Sequence, residues 1–356
     1  MITIFYRMFK NRIRLRYFQQ EQRCEILQTL RDLGERKAIA LILKHLDEMP
    51  RTPIHFGDDV SAYPMSGDEL FILKTDMLVD KTDVPKGMSL WQAARKAVVM
   101  NVSDFAAKGV KPLAALVSLG LPNNITRKGL EEIAEGLNAG AREYGFYILG
   151  GDTNEASDLV ISVSIFGIVK KNALMLRGGA KPNDMVAVTG FFGKTSAGLK
   201  LLLEGFKAPK DVRGVLLEAV LMPKARLNEG LALSASGAVT AAIDSSDGLA
   251  WSLHEIAKAS GVGFVIDNVP VASEVVKFAE LNGLDPVELA LYGGEEYELI
   301  LTINPKLWSE AEKAVKQAGG TLIKIGRVTA QKRVVLEFKG EKRVIKPLGW
   351  EHFRRR

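Results

Sequence analysis

The chain has 356 residues, 47% of them hydrophobic and a quarter charged, the balance of a globular protein large enough to bury a sizeable core without disulfides. Its single cysteine, Cys24, excludes an internal disulfide and argues against a cysteine-built zinc site, pointing to the cytosol; no apolar run reaches the 18 residues of a membrane span, and the basic N-terminus lacks the apolar core of a secretion signal. The net charge of +6 sits in the tails: Arg7, Lys10, Arg12, Arg14 and Arg16 at one end and Arg354, Arg355 and Arg356 at the other account for eight positive charges and leave residues 21–353 at −2, so a nucleic-acid role is not expected.

In chain order, residues 24–48 read as a helix or helical pair, Leu70–Thr75 as a strand, 90–108 as a helix and Leu113–Leu119 as a strand. Leu130, Ile133, Leu137 and Ala141 line one face of an amphipathic helix over 126–144, followed by strands at Tyr147–Leu149 and Leu159–Val169. A loop with Gly178, Gly179, Pro182 and Asn183 marks the best domain boundary. Beyond it come strand Met185–Thr189, helices near 194–205, 212–221, 224–235, 247–259 and 306–318, and strands near 263–267, 297–303, 322–328 and 333–338. The chain is a mixed α/β protein of two halves, with no internal repeat.

The chemistry is carried by aspartates. Asp58 and Asp59 follow Gly57, Asp76 ends the first strand, Asp104 lies in Asn101-Val-Ser-Asp104, Asp152 follows Gly150-Gly151, and Asp244 and Asp247 lie in Asp244-Ser-Ser-Asp247-Gly248. Any one of them could be ordinary turn chemistry. Together they offer oxygen-only ligands that suit Mg²⁺, and Mg²⁺ suits a nucleotide phosphate. The four histidines share no metal-ligand spacing. Asn101, Asp104 and Lys108 share one helix face, which either fronts a cleft holding metal or is simply solvated, while Val98 and Phe105 mark the core stripe. Gly190-Phe-Phe-Gly193-Lys194-Thr195 imitates a phosphate-binding P-loop, but the first glycine of that motif would fall at Val188. Arg177, at the domain junction, suits either a phosphate or a surface ion pair. Glu295 and Glu296 stand at a strand start.

These segments resemble the thiamine-monophosphate kinase family, in an archaeal-type variant, within the superfamily of aminoimidazole ribonucleotide synthetase. The resemblance runs from about residue 22 to the end, through Gly57-Asp58-Asp59, Thr75-Asp76, Asn101-Val-Ser-Asp104, Gly150-Gly151-Asp152-Thr153, Arg177-Gly-Gly-Ala180, Asp244-Ser-Ser246-Asp247-Gly248 and Gly293-Gly-Glu-Glu-Tyr-Glu-Leu299. It implies an α/β (α+β) fold of two domains, 21–175 and 176–356, behind a basic extension over 1–20. The N-terminal sheet would pair into a barrel across a homodimer. It implies ATP-dependent phosphorylation of thiamine monophosphate by direct in-line transfer, with no covalent intermediate and no catalytic side chain. Asp59, Thr75, Asp76, Asp104, Asp152, Asp244 and Asp247 fall on Mg²⁺ positions, with Asp58 as a possible addition. Gly151, Asp152, Arg177 and Ser246 fall on ATP positions, and Asp83, Glu295 and Trp350 on substrate positions. Lys74 replaces a serine that helps bind one metal, and Asp83 replaces a histidine. Two rival readings remain: a synthetase of the same superfamily (aminoimidazole ribonucleotide or selenophosphate type, the latter lacking its reactive cysteine), and a non-catalytic nucleic-acid binder, which leaves the aspartates unexplained.

Overall fold

The computed structural model describes residues 29–338 and 340–353; Cys24, the basic stretch 1–20 and Arg354–Arg356 lie outside them. The chain divides into two units, residues 1–49 with 351–356 and residues 50–350. In the first, α1 (Leu30–Leu33) and α2 (Glu35–Leu43) form the described part of the expected helical pair. Thr29 starts it, donating from its backbone N–H and its hydroxyl to Asp32 Oδ2 at 2.8 and 2.7 Å. The backbone N–H of His352 donates to Glu35 Oε2 at 3.0 Å, which ties the C-terminal segment to α2.

The second unit opens with β1 (Ser61–Pro64), β2 (Glu69–Val79), the short α3 (Asp80–Asp83) and α4 (Leu90–Lys108), then β3 (Pro112–Leu121), α5 (Arg127–Glu143), β4 (Tyr147–Glu155) and β5 (Val160–Lys170). The five strands make one open sheet in the order β1-β2-β5-β3-β4, antiparallel except for the parallel pair β3–β4, which needs the α5 crossover to join it. α4 and α5 cover one face only. Period-two alternation therefore divides β2: Leu70, Ile72 and Leu78 go under the helices, while Leu73 and Met77 stand exposed on the other face.

α4 starts on a reciprocal cap, Gln92 N–H to Ser89 Oγ at 3.2 Å and Ser89 N–H to Gln92 Oε1 at 2.9 Å. It is buried on nearly every side, packed on α5, β2 and β5 and against elements of the second sheet. Close approach to α5 requires Gly136, where a Cβ would lie 2.2 Å from the Trp91 carbonyl oxygen. Ile133, Leu137 and Ala141 of α5 are buried as their spacing predicts, but Leu130, one turn earlier, is 44% exposed.

The remaining elements are β6 (Met185–Val188), α6 (Lys194–Leu203), α7 (Lys210–Leu221), α8 (Leu227–Ser236), β7 (Val239–Asp244), α9 (Leu249–Ser260), β8 (Gly263–Ile266), α10 (Ser273–Asn282), α11 (Pro286–Tyr292), β9 (Leu299–Ile303), α12 (Trp308–Gln317), β10 (Ile323–Thr329), β11 (Val334–Phe338) and β12 (Glu341–Val344). The second sheet runs β12-β11-β8-β10-β6-β9-β7. The sequence reading missed β1, α3, β7, α10, α11 and β12, of which all but the ten-residue α10 are short. The apolar core under the first sheet continues into the second, joining Val98, Val102 and Phe105 to Ala187, Leu299 and Leu301. No helix among the described residues is long and apolar enough to cross a membrane.

Candidate active site

The Asn101–Lys108 face of α4 is not solvated: Asn101 and Lys108 are fully buried and Asp104 is 6% exposed. A polar face so enclosed must be satisfied by partners, and each side chain has one. Asn101 Oδ1 accepts the backbone N–H of Asp76 at 2.9 Å, fixing the middle of β2 against the helix. Ser103 Oγ donates to Asp244 Oδ2 at 2.5 Å. Lys108 Nζ lies 2.6 Å from Asp58 Oδ1 and 2.8 Å from Asp59 Oδ2, and donates to the Ala242 carbonyl at 2.9 Å. One helix thus gathers the segment before β1, the centre of β2 and the end of β7.

The result is a buried carboxylate group. Asp59, Asp104 and Asp244 each offer an oxygen, and the three lie within 4.8 Å of one another, the one such cluster found among the described residues. Asp76 joins through Lys74, whose Nζ lies 3.0 Å from Asp76 Oδ1 and 2.8 Å from Asp104 Oδ2. Asp76 lies within β2 rather than at its end, and Asp104 within α4, so turn chemistry accounts for neither. Arg177 forks onto two carboxylates, Nη2 to Asp59 and Nη1 to Glu255 Oε2 at 3.0 Å, while its backbone N–H donates to Asp58 Oδ2 at 3.0 Å. In this structure the Arg177 guanidinium therefore serves protein anions.

Charge is uneven across the cluster. Burial opposes the ionisation of Asp59, but Lys108 and Arg177 outweigh it and hold the carboxyl at about 2. Burial pushes Asp104 well above the usual carboxylate range; Lys74 opposes this and the neighbouring Asp244, Asp76 and Asp59 add to it. Burial, with Asp59 beside it, pushes Asp244 up to about 7 against the pull of the Ser103 hydroxyl. Ionised together, Asp104 and Asp244 would hold more negative charge than the surrounding cations relieve. Asp59 Oδ2 is buried and makes no well-aligned hydrogen bond despite its ion pair. Hard oxygen donors in excess, with no histidine or cysteine among them, fit a divalent cation of the Mg²⁺ kind.

Thr75 and Asp152 are placed elsewhere. Cross-strand register sets Thr75 beside Ser164, Leu116 and Gly150, and the next row runs Met77, Ser162, Ser118 and Asp152. Both rows lie on the sheet face that no helix covers. Asp152 stands on β4, a strand that runs on through the Gly150-Gly151 pair instead of turning there. Gly151 is needed because a Cβ would lie 1.7 Å from the Val117 carbonyl oxygen.

The remaining sequence-predicted residues meet around the turn after β7. Glu295 N–H donates to the Ser246 carbonyl at 2.7 Å, Tyr297 N–H to that of Ser245 at 3.1 Å, and Trp350 N–H to that of Asp247 at 3.0 Å. Asp247, Ser246, Glu295 and Trp350 are thereby assembled from three segments. Glu295 adopts φ 63°, an uncommon backbone for a residue with a side chain. Asp83 accepts the Val79 N–H at 2.8 Å through its carboxylate. Its backbone carbonyl accepts from Lys96 Nζ at 2.8 Å, and the same ammonium lies 2.5 Å from Glu295 Oε1. Lys96 is 1% exposed and joins both expected substrate positions. Sequence reasoning missed it, as it missed the partner roles of Ser103 and Glu255. The Ser103 signal was available in its motif; a helical lysine carries none.

The P-loop imitation is closed by the protein itself. Glu296 Oε1 accepts from Gly193 N–H at 2.6 Å and Thr195 N–H at 3.1 Å, so the N-terminus of α6 already holds an anion.

Comparison with known proteins agrees on one family. The N-terminal domain of AIR synthase related proteins matches residues 57–169, and their C-terminal domain matches residues 181–339. Thiamine-monophosphate kinase of Nitrosopumilus maritimus is 41% identical over 298 residues, covering 84% of this chain and 93% of that protein. The Pyrococcus horikoshii protein of the same name is 41% identical over 300 residues, covering 84% and 91%. A solved structure described as AaThiL complexed with AMPPCP and TMP superposes with a TM-score of 0.79 at 29% identity, over 91% of this chain and 99% of that one.

Proposed function

This chain belongs to the thiamine-monophosphate kinase family of AIR synthase related proteins, and we propose that it transfers the γ-phosphoryl group of ATP to thiamine monophosphate. A terminal oxygen of the acceptor phosphate bonds to the γ-phosphorus as the β–γ bridging bond breaks, giving thiamine diphosphate and ADP. The observation that carries the reading is the buried Asp59, Asp104 and Asp244 group, set among Lys74, Lys108 and Arg177. Two anionic esters repel each other strongly in a dry cleft, and the acceptor oxygen is already ionised near neutral pH. The demand is for charge neutralisation and alignment rather than for a general base.

Asp59, Asp76, Asp104, Asp244 and Asp247 would hold Mg²⁺, with Asp58 close by. Bound there, Mg²⁺ supplies charge neutralisation and orientation of the transferred phosphate. This chain's residues do the rest. Asn101 and Ser103 fix Asp76 and Asp244 in place. Lys108 holds Asp58 and Asp59 together and, with Arg177, keeps Asp59 ionised. Glu295, Trp350 and Asp83 would receive the thiamine moiety, with Lys96 setting the spacing of Glu295 from the Asp83 backbone.

Thr75, Gly151 and Asp152 serve the same reaction if the open sheet face is an interface. That face presents Tyr63, Leu73, Met77, Leu116 and Ile168, all exposed. Apolar surface of this kind marks association. The chain would act as a homodimer paired through it, with the nucleotide near the junction. The work belongs to the cytosol, where a lone cysteine needs no oxidising surroundings.

The test is product analysis. The full chain, incubated with ATP, MgCl₂ and thiamine monophosphate, yields thiamine diphosphate and ADP in equal amounts. No thiamine diphosphate, with ADP released instead on formylglycinamidine ribonucleotide or selenide, overturns the assignment.

A further inference from the structure

We propose that Lys74 is a resident cation of the reaction centre, its ammonium occupying the seat between Asp76 and Asp104 that a divalent ion would otherwise take; the inference rests on the phosphoryl-transfer reading above. The geometry is specific. Strand alternation sends Lys74 and Asp76 to the helix-covered face of β2, and the ammonium lies 3.0 Å from Asp76 Oδ1 and 2.8 Å from Asp104 Oδ2. An exposed lysine in a single ion pair contributes little. Lys74 is different on three counts. Its side chain is only 17% exposed. Its two carboxylates come from separate elements, β2 and α4, so the ammonium clamps strand to helix. One of the two, Asp104, is itself a member of the three-carboxylate cluster.

An ammonium has three N–H donors. Asp76 and Asp104 take two, and the third is left for an anionic ligand brought to the cluster. A lysine in that seat is tethered and always charged, so it is never lost when free Mg²⁺ falls. The consequence is a lower divalent-ion count: this chain holds one fewer ion beside its nucleotide than the same site with a small neutral side chain at position 74.

The experiment counts Mn²⁺ bound per chain by electron paramagnetic resonance, with a non-hydrolysable ATP analogue present, in the full-length protein and in Lys74→Ser and Lys74→Arg. Lys74→Ser binds one more Mn²⁺ than the wild type, and Lys74→Arg matches the wild type. An unchanged count in folded Lys74→Ser, or a gain in Lys74→Arg as well, overturns the proposal. If Lys74→Ser does not fold, the wild type decides. Acylation of Lys74 by an amine-reactive reagent, read by peptide mass spectrometry, stays low with and without saturating Mn²⁺ when the lysine keeps its seat. Labelling that rises on adding Mn²⁺ shows displacement and overturns the proposal. The kinase reading stands or falls separately, on formation of thiamine diphosphate by the wild type.

Discussion

Asp104 sits where three demands meet: it is buried, it faces Asp59 and Asp244, and it receives Lys74. Without a divalent ion its charge works against the fold, because burial and like charges both favour the protonated form. Asp104→Asn is therefore expected to hold or raise the thermal midpoint in metal-free buffer while turnover drops about 100-fold or more. Activity within twofold of wild type at limiting Mg²⁺ would sink the metal role. Lys96 behaves in the opposite sense. Removing its ammonium leaves Glu295 and the Asp83 carbonyl without their partner. Lys96→Met should cost about 2 kcal/mol, the loss for a buried pair discounted for the partly exposed glutamate. Adding Glu295→Gln should recover part of that, and a double-mutant cycle from urea unfolding measures the coupling. Asp104 was legible from its motif and Lys96 was not, since a lysine inside a helical pattern reads as a solvent-facing residue until its distant partner is known.

At the scale of elements, α4 does the organising. Its span and its apolar Val98 and Phe105 stripe were legible, and so was the common face of Asn101, Asp104 and Lys108. That the same helix is buried on its polar side was not, because periodicity reports which residues share a face and not what covers it. α6 shows the converse. Its N-terminus imitated a P-loop in sequence, and the acceptor there is the chain's own Glu296 carboxyl. Burial pushes the Glu296 carboxyl up to about 7, against the hydrogen bonds of Thr195 and Gly193, from an ordinary value of 4.5. The folded chain thus binds this proton more tightly than the unfolded chain. The stability linked to it is complete below about 4.5 and is lost as pH rises to 7. Glu296→Gln keeps an acceptor for Gly193 and Thr195 without the titration. Urea midpoints at pH 5 and pH 8 should fall more for wild type than for the variant; parallel behaviour would contradict the assignment.

For the whole molecule, the decisive feature is a sheet with one covered face. Thr75 and Asp152 project to the uncovered side, away from Asp76 and Asp104, although Thr75 and Asp76 are neighbours in sequence. The homodimer proposal gives that side a purpose. Leu116 is 51% exposed on it, in the same cross-strand row as Thr75 with Ser164 between them. Leu116→Arg should sediment as a monomer in analytical ultracentrifugation with a thermal midpoint near that of its folded parent, and should lose turnover with the dimer. A wild-type chain that sediments as a monomer while fully active would leave Thr75 and Asp152 outside the reaction.

The sequence by itself determined the two α/β halves, the longer helices and strands, and the segments that carry the aspartates, because amphipathic periods and short aspartate motifs are local signals. Short elements such as β7 and α11 escaped, their runs being too brief to show a period. Only the tertiary structure decided which aspartates meet. Asp59, Asp104 and Asp244 come from a loop, a helix and a strand end, and they converge because α4 is enclosed between two sheets and must satisfy every polar group it buries.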